Sequence, residues 1–117
     1  PTDAIVDSLP DLTPAPGSTP AAVTATIAWD PITGKAKITF SASSDPNLDH
    51  YEIRFTHGPP YSTDDELVAG NVFPGSPLEF LTDAGLTIPG STASFKVYVM
   101  LTTGNEIGSN TVTITRP

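Results

Sequence analysis

The sequence contains no cysteine, a single tryptophan, a single methionine and two histidines among 117 residues. Without cysteine there can be no disulfide framework, no thiolate zinc site and no cysteine nucleophile. That lack fits bacterial secreted proteins and cytosolic ones equally. Basic residues are also scarce: 5 Lys and Arg stand against 13 Asp and Glu, for a net charge of −8. Nucleic-acid binding rests on Lys and Arg neutralising phosphates, so nucleic acid is excluded as a partner, and anionic membrane surfaces are disfavoured for the same reason. The acids are scattered, the longest run being Asp64-Asp65-Glu66, and they read as a solubility charge on a solvated surface. No apolar run approaches the roughly 20 residues of a membrane-spanning helix, so no membrane insertion is expected. A basic start followed by an apolar core is missing, so no signal peptide is read. The chain begins at Pro1 without an initiator Met. It is expected to be a processed protein or a piece cut from a larger one.

What is present begins with proline. Pro1, Pro10, Pro14, Pro16 and Pro20 punctuate residues 1–20. Proline fixes φ and donates no hydrogen bond, so this stretch is expected to be an extended linker or arm. Ile5, Val6, Leu9 and Leu12 leave a second reading open, in which the arm docks on the domain edge or on a neighbouring domain. Residues 21–117 then form one domain, large enough to bury a core without staples.

From Val23 the hydrophobic period is two. Val23, Ala25, Ile27 and Trp29 share one face. Asp30-Pro31-Ile32-Thr33-Gly34 is a turn. Lys35 to Ala42 alternates with Ala36, Ile38, Phe40 and Ala42 inward, and Tyr51, Ile53 and Phe55 line the next strand. Glu66 to Ala69 and Leu78 to Leu81 read as short strands, with a turn at Gly70-Asn71 after the first. Phe73 is expected to tuck under the long connection. Phe95, Val97 and Val99 point inward from Ala93 to Leu101, Gly104-Asn105-Glu106 turns the chain, and Val112 and Ile114 close it. No helical period is sustained anywhere. Seven short strands with turn signals between them predict an all-β protein, a sandwich of two antiparallel sheets.

These residues carry a family pattern. ITFSASSDPNLDHYEIRF and LTIPGSTASFKVYVMLTTGNEIGSNTVTITRP resemble the second-to-third and sixth-to-seventh strand regions of a fibronectin type III domain, in the form common in bacterial multidomain proteins. The resemblance implies a seven-stranded immunoglobulin-like fold, with Phe40 where the family has its core Trp and Tyr51 at the start of the third strand. It also marks two departures. Phe40 keeps aromatic bulk but loses the indole donor, and Ala93 stands where the family's corner tyrosine would be. Trp29 is expected to supply some of the missing packing.

The sequence carries no signature of catalysis. His57, Ser62 and Asp64 lie on a Pro-rich connection with nothing to hold them as a triad, and there is no G-x-S-x-G elbow. Asp64 and Glu66 face no cleft of the kind a glycosidase needs. Asp45-Pro46-Asn47-Leu48-Asp49 starts like a calcium loop, but His50 stands where Gly is required and Thr56 where Glu is required. No catalytic residue, metal or cofactor is expected.

The outward faces of the third and sixth strands are the informative surface. Glu52, Arg54 and Thr56 should lie beside Ser94, Lys96, Tyr98 and Met100. Arg54, Tyr61, Lys96, Tyr98 and Met100 are therefore the candidate ligand or partner face, with a glycan stacking on Tyr98 as one use. The competing reading is ordinary cross-strand packing, with Tyr98 shielding the Arg54 stem and a Glu52–Lys96 pair. The functional expectation is a non-catalytic spacer or adaptor in a larger extracellular or cell-surface protein. It would be monomeric when isolated and partnered by neighbouring domains of its own chain. A sandwich of odd strand number sends its two ends from opposite poles, which suits domains in series. The alternatives are a carbohydrate-binding module using exposed aromatics and a structural module of a virion or cell-surface assembly.

Overall fold

The computed structural model describes residues 20–117, so the Pro-rich arm lies outside the described residues except for Pro20, which is buried. Two antiparallel sheets form the domain, and the described residues contain no helix. One sheet has the order β1-β2-β5, built from β1 (Ala25–Asp30), β2 (Lys35–Phe40) and β5 (Glu79–Thr82). The other joins β4 (Leu67–Val72), β3 (Leu48–His57), β6 (Thr92–Leu101) and β7 (Glu106–Gly108) in that order, with β8 (Val112–Thr115) also on β6.

The core follows from the period of two. Ala36, Ile38 and Phe40 face Tyr51, Ile53, Phe95, Val97 and Val99 across the two layers, all buried. Burial of each large side chain contributes about 1.5–3 kcal/mol relative to leaving it in water. Phe40 and Tyr51 pack with ring centroids 4.8 Å apart and planes tilted by 58°. The Tyr51 hydroxyl accepts a hydrogen bond from the Ser43 backbone N–H at 2.9 Å, which pins the β2–β3 connection to the core. Where the corner tyrosine is missing, Ala93 is small enough for the loop to close. A Cβ on Gly85 (φ 71°) would stand only 3.0 Å from Ala93 Cβ, and the buried Leu86 follows at once. The β1–β2 turn is held by Asp30, whose carboxylate accepts from the Ile32 N–H and the Thr33 hydroxyl.

Four details depart from the sequence reading. β2 ends at Phe40 and Ala42 is exposed, because the chain leaves the sheet at Ser41. Phe73 is 57% exposed rather than tucked in. Gly70-Asn71 is not a turn. β4 runs through it, and Gly70 is required because the Phe80 ring of the other sheet lies against its backbone: a Cβ there would stand 2.5 Å from Phe80 Cζ. Lastly, the described residues form eight strands. The final strand is split, since β7 pairs the C-terminal half of β6 and β8 the N-terminal half. Ser109 bridges the break, its N–H donating to Val97 O and its Oγ accepting from Val97 N–H. Asn110 then turns to the other sheet, its carboxamide accepting from Ala25 N–H (2.8 Å) and donating to Ala25 O (3.0 Å). It does for the β1 edge what a neighbouring strand would do.

The Gly70–Phe80 contact carries a prediction. Gly70→Ala should destabilise by about 1–3 kcal/mol through overpacking, and Phe80→Leu should recover part of that loss in the double variant. Urea denaturation of the four proteins measures both. A neutral Gly70→Ala would mean that the ring yields freely and does not close the seam.

Candidate partner-binding face

β3 and β6 are ten-residue antiparallel neighbours whose register, after a shift between Leu48 and His50, runs unbroken from the His50/Met100 pair to the His57/Ala93 pair and fixes the outward rows. Thr56 faces Ser94, Arg54 faces Lys96, Glu52 faces Tyr98 and His50 faces Met100. β7 adds Gly108 beside Tyr98 and Glu106 beside Met100.

Arg54 is the centre. Its Nε donates to Glu52. Nη1 donates to Glu66 and to Glu106, both at 2.9 Å, and Nη2 completes a fork on Glu106 at 3.0 Å. The guanidinium carbon lies 3.9 Å from the centre of the Tyr98 ring, a cation–π geometry, and Nη2 also approaches Met100 Sδ at 3.9 Å. Glu66 is the second hub: its other oxygen accepts from the hydroxyls of Tyr61 and Tyr98. Lys96 Nζ stands 5.1 Å from the Tyr61 ring centre. Gly108 makes room for this layer, since a Cβ there would meet Tyr98 Cζ at 3.0 Å and Lys96 Cδ at 3.2 Å.

The electrostatics follow from this packing. Burial disfavours the charged form of Arg54, but the hydrogen bonds to Glu106, Glu52 and Glu66 outweigh it and hold the guanidinium more firmly protonated than usual. Burial pushes the Glu66 carboxyl up, yet donation from Tyr61, Tyr98 and Arg54 brings it below its ordinary value. Burial, then the Glu66 carboxylate, raises both Tyr61 and Tyr98.

The structure thus brings Arg54, Tyr61, Lys96, Tyr98 and Met100 into one layer. Tyr98 is only 7% exposed, and its ring face is taken by Arg54, so the Tyr98 ring does not lie bare to solvent. The Glu52–Lys96 pair does not form; Glu52 pairs with Arg54, which lies two residues away on the same face of β3. Sequence reasoning missed Glu66, read as part of an acidic run, and Glu106, read as a turn residue. The signal for Glu106 was its place opposite Met100, visible only once β7 is recognised.

Elsewhere, Asp45 Oδ1 accepts from the Asn47 N–H at 2.8 Å, a local turn bond. Among the described residues no group of three or more His, Cys, Asp or Glu side chains is placed to hold a metal ion.

No protein-family model and no curated protein matches the chain. Solved structures do. Pectate lyase PelI from Erwinia chrysanthemi, in complex with tetragalacturonic acid, superposes with a TM-score of 0.64 at 16% identity, over 80% of this chain and 28% of that one. Pectate lyase Pel3 from Pectobacterium carotovorum gives 0.63 at 10% identity, over 80% and 27%. The chain spans little more than a quarter of the length of these lyases. An Fn3-like protein from Clostridium thermocellum gives 0.55 at 18% identity, over 86% of this chain and 96% of that one. At these identities the likeness is one of fold, and the fold is an Fn3-like β-sandwich.

Proposed function

We propose that this chain is a non-catalytic spacer or adaptor module of a larger extracellular or surface protein, with neighbouring domains of that protein as its partners. The observation that carries the reading is the direction of the outermost strands. β8 lies beside β1. Asn110, ahead of β8, holds Ala25 at the start of β1, while the Arg116 guanidinium after β8 lies 5.6 Å from the Trp29 ring near the end of β1. The two strands run the same way, so the chain enters at one pole and leaves at the other. The split final strand counts as one rung, which keeps the odd-strand geometry despite eight elements.

The partner face supports a structural role, because Arg54 spends its donors on Glu52, Glu66 and Glu106 rather than presenting them. Glycan stacking on Tyr98 has no free ring face to use. The partial overlap with bacterial pectate lyases, where the matched part is a minority of the chain, suits a module carried beside other domains. The test is a tandem of two copies joined in series through residues 1–20. Small-angle scattering should show a rod whose longest dimension is about twice that of one copy, as domains joined pole to pole require. A folded-back, compact pair would overturn the spacer reading.

A further inference from the structure

The flank of the larger sheet plays no part in the spacer reading and stands independently of it. β4 is an end strand of that sheet, and its far edge pairs with no strand among the described residues. A free edge offers a row of backbone N–H and C=O groups to any extended chain, and proteins guard such edges with charge, proline or a covering segment. The other edges are guarded. Glu79 on β5 pairs with Lys37 at 3.4 Å. Asn110 holds the start of β1, and β8 lies beside that strand. β7 has only three residues and carries the charge of Glu106. β4 carries neither charge nor proline along Leu67-Val68-Ala69-Gly70-Asn71-Val72. Its register shift at Ala69 sharpens the local twist but leaves the edge uncovered.

The side chains ask for cover as well. Leu67 and Val68 are more than half exposed, and so is Phe73, which follows the strand. The charges then choose the occupant and its direction. A chain of net charge −8 repels a copy of itself wherever acids meet. Parallel self-pairing of β4 would set Asp64-Asp65-Glu66 against the same three acids of the second copy. Antiparallel pairing centred between Ala69 and Gly70 avoids this. Leu67 then falls opposite Val72, Val68 opposite Asn71 and Glu66 opposite Phe73, while Asp64 and Asp65 fall opposite Gly75 and Pro74. The faces agree too. Leu67 and Val72 lie beside Phe55 and Tyr51 on the core side of the sheet, and Val68 and Asn71 beside Arg54 and Glu52 on the outward side, so each cross-strand pair shares one side. Glu66 already accepts from Arg54, Tyr61 and Tyr98 and tolerates an apolar neighbour.

We propose that β4 is a self-association edge: two copies of the chain join antiparallel through Leu67–Val72 about a two-fold axis, making one continuous sheet across the pair. Such a contact is isologous, each copy offering the same strand to the other. A six-residue strand about 20 Å long is a small contact, below the about 1,200 Å² in total that stable interfaces bury. Dilute chains therefore stay monomeric, and the pair forms where modules stand side by side at high local concentration.

The test is sedimentation equilibrium of the whole chain. The average mass should rise towards that of a dimer over roughly 0.1–2 mM, the range of a millimolar dissociation constant. Added salt should strengthen the pair, since screening relieves the repulsion of two acidic chains. Val68→Lys and Asn71→Lys each put a charge on the edge and should weaken association about tenfold. Both positions are exposed, so the melting temperature should hardly move. Disulfides read the register, because the chain has no cysteine of its own. A mixture of Val68→Cys and Asn71→Cys chains should oxidise to the mixed dimer about tenfold faster than either variant links to itself. A monomer mass up to about 2 mM, a dimer that both lysine variants leave intact, or self-linking of Val68→Cys as fast as the mixed product would each overturn the proposal. Pairing along the flank leaves both poles free. The length of the dilute tandem is therefore read apart from it, and the two readings fail separately.

Discussion

Phe40→Ala should cost about 3–5 kcal/mol of folding stability, as other buried phenylalanine truncations do. Phe40 is 7% exposed, packs on Tyr51 at 4.8 Å, and stands at the end of β2 where the sheet gives way to the Ser41–Asn47 connection. Its removal withdraws the surface against which the Tyr51 ring rests. The same ring carries the hydroxyl that holds the Ser43 N–H, so the cavity loosens a loop as well as a core contact. A domain of this size has about 5–15 kcal/mol in total, and the variant should be marginal at room temperature. Phe40→Trp asks more of the site: the family's usual residue adds an indole to a core already filled by phenylalanine, and overpacking of about 1–3 kcal/mol is the expected result. Chemical denaturation measures both. A loss below about 1 kcal/mol for Phe40→Ala would place this side chain outside the core.

The place of Phe40 in the core is legible in the sequence because it rests only on local information. A period of two over Lys35–Phe40 and again over Tyr51–Phe55 fixes which side chains face inward, and hydrophobic burial is indifferent to which partner covers them. The same holds for Phe95, Val97 and Val99. Where the sequence reading failed, the deciding contact came from far away. Gly70 looked like a turn glycine because glycine permits turns, but it is glycine because Phe80 from the other sheet lies on it. The C-terminal segment read as a turn at Gly104-Asn105-Glu106 followed by one strand, because only Val112 and Ile114 alternate, and the pairing of Glu106–Gly108 with β6 was missed. The break at Ser109 and Asn110 is dictated by Val97 and Ala25, partners 12 and 85 residues away.

The candidate face shows the same division. Arg54, Lys96, Tyr98 and Met100 were legible as a group, since two long strands in antiparallel register must bring their outward rows together. What the group does was not legible. Glu66 reaches Arg54 across 12 residues and Glu106 across 52, and neither spacing has a local signature. Those two carboxylates convert a surface with a cation and an aromatic ring to spare into a closed layer.

Arg54→Ala should be the most damaging substitution on the outward face, at about 3–5 kcal/mol, because it leaves buried charge without its partner. The Glu52 and Glu66 side chains are each only 17% exposed, so water cannot fully replace the guanidinium, and three carboxylates are left facing one another. Arg54→Lys keeps the charge but not the fork on Glu106 or the flat contact with Tyr98, and should fall between the two. The charge origin of the loss gives it a pH dependence that Phe40→Ala lacks. In the wild type the Glu66 carboxyl lies below its ordinary value of 4.5. A depressed carboxyl stabilises the fold above its unfolded-state value, and that share is lost as pH falls through the lower folded-state value. Without Arg54, burial favours the protonated form of the Glu66 carboxyl, so acid relieves the variant while it weakens the wild type. The stability gap should therefore be widest near neutral pH and narrow towards about pH 4. Urea denaturation at both pH values reads the gap directly. A gap that stays constant would assign the loss to the packing of Arg54 against Tyr98 and Met100. A loss below about 1 kcal/mol at neutral pH would show that the three glutamates are solvated as an ordinary surface cluster is.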